Sequence, residues 1–337
     1  MRVVIPDDWN GAFDISSEVA ELRKRAEVVV VRERSPRLWD ELRQAEVVVG
    51  QRERTRFSAE QLAEMPRLRM IAQIGGPDVP HIDVPAATAR GVLVCCSMGA
   101  PVVAPTEVAG RTAGGNASMI EVTIGMIIAA LRQFGQQDRS LHAGAWPGPT
   151  GRVMYGKTLG IVGLGRLGTG VAKAAQFFSM RVVAAGKTLT PERAAAAGVE
   201  FRSLEALFAE ADVISLHVRL TDATRGLVGA ELLRRMKRDA ILVNTARGPV
   251  VDEAALVEAL REGRIGGAAL DVYDEEPLPT DHPLRSLDNA LLLAHCGWPT
   301  DAGYATMIPQ TLALVHAFLD GQPMNVLNPE AAGNRPA

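Results

Sequence analysis

Cysteine is scarce in this chain, which carries only Cys95, Cys96 and Cys296, two of them adjacent. An odd count with that spacing offers no disulfide framework, so a reducing cytoplasm is the expected setting. Long apolar runs are missing as well. No stretch approaches the roughly 20 residues of a membrane span, and the opening Met1-Arg2-Val3-Val4-Ile5-Pro6 reaches an acidic pair without a secretory apolar core. No membrane partner is expected. Nor is there a charge surplus: the formal net charge is −3, which offers nucleic acid or an anionic surface nothing to hold. No metal is expected either, because Cys296 has no partner cysteine or histidine at ligand spacing. Tandem repeats and low-complexity tracts are absent.

What is present points to a two-domain α/β protein. The 337 residues, 47 % of them hydrophobic, suffice for two buried cores. Val28 to Val31, Val47 to Val49, Met70 to Ile74 and Val92 to Val94 read as strands. Ser58 to Met65 reads as a helix, with Ser58 as its cap, Gln61 reaching back and Pro66 beyond its end. A second series begins near residue 158. Its strands are Leu159 to Val162, Val182 to Ala185, Val213 to Leu216, Ile241 to Val243, Ala268 to Leu270 and Leu291 to Leu293, and its helices open at Thr190-Pro191, Ser203 and Asp252. Strands alternating with crossover helices form parallel sheets covered on both faces, and this second series matches one doubly wound nucleotide-binding domain. Between the series, Met98 to Asn116 reads as a long Gly/Pro/Ala-rich loop. Ser118 to about His142 reads as one long helix with Ile120, Ile124, Ile127, Ile128 and Leu131 on a single face. The tail after Asn328 is expected to be loose.

Gly163-Leu164-Gly165-Arg166-Leu167-Gly168 follows the strand Thr158 to Val162 and opens a helix with Val171, Ala174, Ala175 and Phe178 as its apolar residues. In that setting Gly163 permits the tight turn, Gly165 lets the backbone approach a pyrophosphate, and Gly168 lets helix and strand pack. The amides of Arg166 and Leu167 at the helix start would bind the phosphates. A dinucleotide with a free ribose 2′-OH calls for an acidic residue about 20 positions on. Here the second strand ends in Gly186-Lys187-Thr188, so the cofactor is read as NAD(P), with NADP favoured through Lys187 and Thr188.

Three further features follow later strands: Val243-Asn244-Thr245-Ala246-Arg247-Gly248, Asp271-Val272-Tyr273-Asp274-Glu275-Glu276-Pro277, and Ala294-His295-Cys296-Gly297-Trp298. Ligands of open parallel sheets bind at the carboxyl ends of strands, so these segments converge on the cofactor. Reducing a ketone leaves an alkoxide that needs a proton, and histidine is the usual donor near neutral pH. A carboxylate beside it holds the ring, and the planar fork of an arginine fits a substrate carboxylate.

With these residues in place, the stretch from Gly163 to His295 resembles the D-isomer-specific 2-hydroxyacid dehydrogenases, a family of phosphoglycerate, glycerate, formate and phosphite dehydrogenases and hydroxypyruvate reductases. Arg247, Glu276 and His295 stand where that family carries its arginine, glutamate and histidine, and Gly321 to Asn328 is similar to its closing segment. The resemblance implies that Asp271 meets the nicotinamide carboxamide, and that His217, Val218, Thr224, Thr245 and Ala246 line the cofactor. It also implies that Arg52 reaches the substrate. In Ile74-Gly75-Gly76-Pro77-Asp78 the family's substrate loop offers backbone amides; Pro77 has none and Asp78 is acidic, which leaves Gly76 as the candidate. The link from Cys95 to Met119 is about ten residues longer than is usual in the family and is expected to shape or cover the pocket.

The reading is therefore two doubly wound parallel-sheet domains, with a Rossmann-type nucleotide domain (119–298) inserted in a flavodoxin-like substrate domain (1–118 and 299–337). The expected activity is hydride transfer between NAD(P)H and C2 of a 2-keto or D-2-hydroxy acid, a small-molecule substrate, by a cytoplasmic homodimer. A phosphite-type dehydrogenase and a non-catalytic nucleotide-sensing protein stay open as alternatives at this stage.

Overall fold

In a computed structural model, residues 1–33, 36–97, 114–146 and 148–334 are described, with backbone alone for 114–116. The expected pocket-shaping link falls mostly on 98–113 and lies outside the described residues. The chain divides into two units, Met1–Thr112 with Asp301–Ala337, and Ala113–Thr300.

The first unit holds β1 (Arg2–Ile5), β2 (Glu27–Val30), β3 (Val47–Gly50), β4 (Met70–Gln73) and β5 (Leu93–Cys96), ordered β2-β1-β3-β4-β5 and paired in parallel. This is the flavodoxin-like order. β3, β4 and β5 are buried along their whole length, as continuous apolar runs covered on both faces must be. Val3, Val47, Met70 and Leu93 face one core, and Val4, Val48, Ile71 and Val94 the other. The helix Ala59–Ala63 begins in the capping box expected at Ser58 and Gln61. The tail is not loose: Pro329–Gly333 forms a 3-10 turn and buries Ala331 completely. Asn328 secures that return, accepting the Val94 N–H at 2.8 Å and donating to the Val92 carbonyl at 2.9 Å.

The second unit holds β6 (Thr158–Val162), β7 (Arg181–Ala185), β8 (Glu200–Phe201), β9 (Val213–Leu216), β10 (Ile241–Asn244), β11 (Gly267–Leu270) and β12 (Ala290–Leu292). Their order is β12-β11-β10-β9-β6-β7-β8, again all parallel. Strand order reverses at β6, so the loops after β6 and β9 border the crevice where such sheets take ligands. Thr190, Ser203 and Asp252 cap their helices by accepting the N–H three residues on.

One helix was expected over 118–142, and two are found. Gly114–Leu131 and Phe134–His142 meet at a 61° bend. Gln133 adopts the left-handed conformation at φ 55°, which ends the first helix, and the second buries no residue. With no core to face, nothing holds the second segment in line with the first. Among the described residues no single helix is long and apolar enough to cross a membrane.

Candidate active site

The glycine turn leaves β6 as its residue types demand. Gly163 has φ +99°, and a Cβ there would lie 2.7 Å from the His217 carbonyl oxygen. At Gly168 a Cβ would come within 2.3 Å of the Gly163 carbonyl oxygen, so the helix Arg166–Phe177 docks on its strand only through glycine. A Cβ on Gly165 would meet nothing within 4 Å, which leaves open space above the turn. The first bond of that helix runs from the Thr169 N–H to the Gly165 carbonyl at 2.9 Å, so the preceding amides of Arg166 and Leu167 belong to the donor-rich helix start that suits a phosphate. These features fit a dinucleotide.

Around the turn, β7 ends in Gly186-Lys187-Thr188, and the Arg193 guanidinium reaches the Thr188 carbonyl at 2.6 Å. No carboxylate stands at that strand end. On the other side His217 follows β9, with Nε2 2.9 Å from the Ser215 hydroxyl. Burial pulls its pKa down to about 4, so the ring is neutral near pH 7, and Val218 packs against the glycine turn. Thr224 turns inward on its own loop, its hydroxyl donating to the Arg219 carbonyl at 2.5 Å and accepting the Thr221 N–H at 2.8 Å. Thr245 pairs with the Thr123 hydroxyl at 3.1 Å.

The candidate acid–base residues leave three neighbouring strands. Arg247 follows β10, Glu276 follows β11 and His295 follows β12. Nδ1 of His295 lies 2.6 Å from Oε2 of Glu276, with both side chains about one quarter exposed. The other Glu276 oxygen accepts the Tyr273 N–H at 3.0 Å. With one ring nitrogen held by the carboxylate, Nε2 is the nitrogen left to meet a substrate. Arg247 is half-buried and donates to the Ala246 carbonyl at 2.7 Å. Its turn is fixed by Asn244, which donates to the Arg247 carbonyl at 2.9 Å and accepts the Ala246 N–H at 3.0 Å. Gly248 must be glycine, because a Cβ would lie 2.0 Å from the Tyr273 carbonyl carbon.

Asp271 is 1 % exposed, and its carboxylate accepts the Cys296 and Gly297 N–H groups at 2.7 and 3.1 Å. It therefore faces the turn after β12. Burial also pushes the Cys296 thiol up to about 11, so it stays protonated near neutral pH and is no ready thiolate. Asn244, holding the Arg247 turn, and Tyr273, holding Glu276, are supports of the candidate site that the sequence reading passed over. An asparagine closing a strand before an Ala-Arg-Gly turn was the available signal for the first; Tyr273 carried none.

In the first unit, Arg52 adopts φ 57° after β3, and its guanidinium lies against Gly75, where a Cβ would approach it to 2.6 Å. Gln73 donates to the Arg52 carbonyl at 3.0 Å, and Ser97 accepts the Gly75 N–H at 2.9 Å. Gly76 is half-buried, while Pro77 and Asp78 are exposed. Arg52 and Gly76 thus leave neighbouring strands, β3 and β4.

Residues 124–297 match the model of the D-isomer specific 2-hydroxyacid dehydrogenase NAD binding domain. A glyoxylate reductase of Korarchaeum cryptofilum is 38 % identical over 288 residues, covering 83 % of this chain and 82 % of that protein. The crystal structure of a phosphoglycerate oxidoreductase from Vibrio cholerae superposes with a TM-score of 0.85 at 32 % identity, over 95 % of this chain and 99 % of the other. A D-lactate dehydrogenase from Aquifex aeolicus, solved with NAD and lactic acid, gives 0.73 at 25 % identity over 99 % and 100 % of the two chains.

Proposed function

The chain belongs to the D-isomer-specific 2-hydroxyacid dehydrogenase family, and on that premise we propose how its residues divide the work. It is an oxidoreductase acting between NAD(P)H and a 2-keto or 2-hydroxy acid. The observation that carries the assignment of roles is the 2.6 Å contact between His295 and Glu276 at adjacent strand ends.

His295 gives its Nε2 proton to the carbonyl oxygen during reduction and takes it back during oxidation. Glu276 keeps the ring turned so that Nε2 faces the substrate, and its negative charge offsets the imidazolium. Arg247 binds the substrate carboxylate; within the first unit the Gly76 amide and Arg52 are the candidates for a substrate contact. When bound, the cofactor supplies or accepts the hydride. The glycine turn, with the amides of Arg166, Leu167 and Gly168, holds its pyrophosphate, and the backbone of His217, Val218, Thr245 and Ala246 lines it, with Thr224 fixing the loop beyond β9.

The preferred cofactor is NADP(H). A 2′-phosphate meets Lys187, the Thr188 hydroxyl and the neighbouring Arg193, with no carboxylate to repel it. A hydrogen bond to a charged group contributes about 1.5–3 kcal/mol, roughly 10- to 150-fold in affinity. The test is a panel of 2-keto acids, glyoxylate and hydroxypyruvate included, run with NADH and NADPH side by side. Oxidation of NADPH that is lost in His295→Ala, and a preference reversed in Lys187→Asp, are the expected results. A wild-type preference for NADH would overturn the cofactor assignment. A cytoplasmic homodimer completes the reading. The dimer is supported by large aromatic residues exposed on the second unit, Phe134, Trp146, Tyr155 and Phe177.

A further inference from the structure

His295 is held in the left-handed backbone conformation. Its φ of 51° lies in the left-handed region, which residues with a Cβ enter rarely. The next two N–H groups, of Cys296 and Gly297, both point at the Asp271 carboxylate, at 2.7 and 3.1 Å. Successive N–H groups around a left-handed residue form a concave anion receptor; here a resident side chain fills it. Gly297 makes the approach possible, since a Cβ there would lie 3.1 Å from the Asp271 oxygen and 2.6 Å from the sulfur of Met119.

The neighbouring Tyr273 closes the frame. Its hydroxyl faces the Leu293 carbonyl at 2.7 Å and the Leu270 carbonyl at 3.2 Å, tying the ends of β12 and β11 together. Its N–H holds the Glu276 oxygen that His295 does not use. The charged or titratable groups facing Asp271 are His295, Cys296 and, from the same loop, Tyr273. Burial raises the Asp271 carboxyl, while the Cys296 N–H, the charge of His295 and the Gly297 N–H work to keep it ionised.

We propose that Asp271 is a positioning residue for the proton donor: its carboxylate clamps the left-handed turn at His295 and so aims Nδ1 at Glu276 and Nε2 at the substrate. An ionised carboxylate has about four lone-pair sites, and two N–H donors of the turn hold this one, one on each oxygen. The resemblance instead gives the same side chain to the nicotinamide carboxamide, and the two roles predict different losses. The inference rests on His295 being the proton donor.

The test uses the full chain and two variants, Asp271→Asn, which keeps the shape and turns one acceptor into a donor, and Gly297→Ala, which pushes the carboxylate away. Both are expected to lower kcat about 10- to 100-fold, the range for a misplacement near 1 Å, with KM for the keto acid and Kd for NADPH within about twofold. In the substrate-free protein, the low-field proton resonance of the His295 Nδ1–H held by Glu276 is expected to be lost or shifted upfield in both. If Asp271→Asn does not fold, Gly297→Ala carries the comparison. An unchanged resonance, with Kd for NADPH raised tenfold and kcat retained, would overturn the clamp in favour of a cofactor ligand. If the wild type turns over no keto acid, the proposed reaction fails, while the resonance still decides how His295 is held.

Discussion

His217 shows what burial does to one titratable side chain. Its ordinary pKa near 6.5 in the unfolded chain falls to about 4 in the fold because the charged ring would be desolvated. The unfolded state therefore binds the proton first as pH drops. Stability from this group is complete above about pH 6.5 and is lost progressively down to about pH 4, by about 3 kcal/mol in all. Thermal melts between pH 8 and 4 are expected to show that loss in the wild type and a flatter curve in His217→Asn; equal slopes would mean the ring charges freely in the fold. The candidate acid–base residues Arg247, Glu276 and His295 could be singled out at this scale because each follows an apolar run, and strand ends carry ligands in parallel sheets. The supports could not. Asp271, read only as a cofactor contact, and Tyr273 meet groups whose positions depend on φ at His295 and on the course of the 271–276 loop, and Asn244 holds the backbone of Ala246 and Arg247.

Among elements, the turn and helix after β6 give the sharpest contrast. Gly168→Ala puts a methyl 2.3 Å from the Gly163 carbonyl oxygen, backbone that cannot move aside cheaply. It is expected to cost about 1–3 kcal/mol and to weaken cofactor binding with it. Gly165→Ala meets open space, so its melting temperature is expected to stay within a few degrees of wild type while NADPH affinity drops at least about tenfold, since the methyl occupies the pyrophosphate approach. Melting curves and cofactor titrations on the two variants separate the effects. If Gly165→Ala bound NADPH as the wild type does, the phosphate site would lie elsewhere. Helix starts were legible, because Ser58, Thr190, Ser203 and Asp252 cap through their own side chains. β1 and β8 were missed. The first, Arg2–Ile5, opens the chain; the second is a two-residue edge, Glu200–Phe201, too short for periodicity to register. The break at Gln133 was missed for another reason: no proline or glycine occupies 132–134 to mark it.

For the whole molecule, the exposed aromatics of the second unit are the open question of assembly. Trp146, Phe177 and Tyr155 are 85, 83 and 75 % exposed. Phe134, Leu141 and Trp146 line one surface depression, and Val153, Tyr155, Phe177 and Phe178 another. Monomers seldom leave so much apolar surface in contact with water. Light scattering is expected to give twice the chain mass, falling to one chain when Trp146 and Phe177 are both changed to Asp; a monomeric wild type at micromolar concentration would remove the dimer from the reading.

The amino-acid sequence by itself determined the alternation of strand and helix, the glycine turn and the three candidate acid–base residues, because apolar periodicity, cap chemistry and turn residues are local signals. Only the tertiary structure decided that His295 meets Glu276 at 2.6 Å and that Asp271 faces the turn behind His295. Those contacts join segments about 20 residues apart, and they form only where sheet order brings β11 and β12 side by side and a glycine leaves room for a carboxylate.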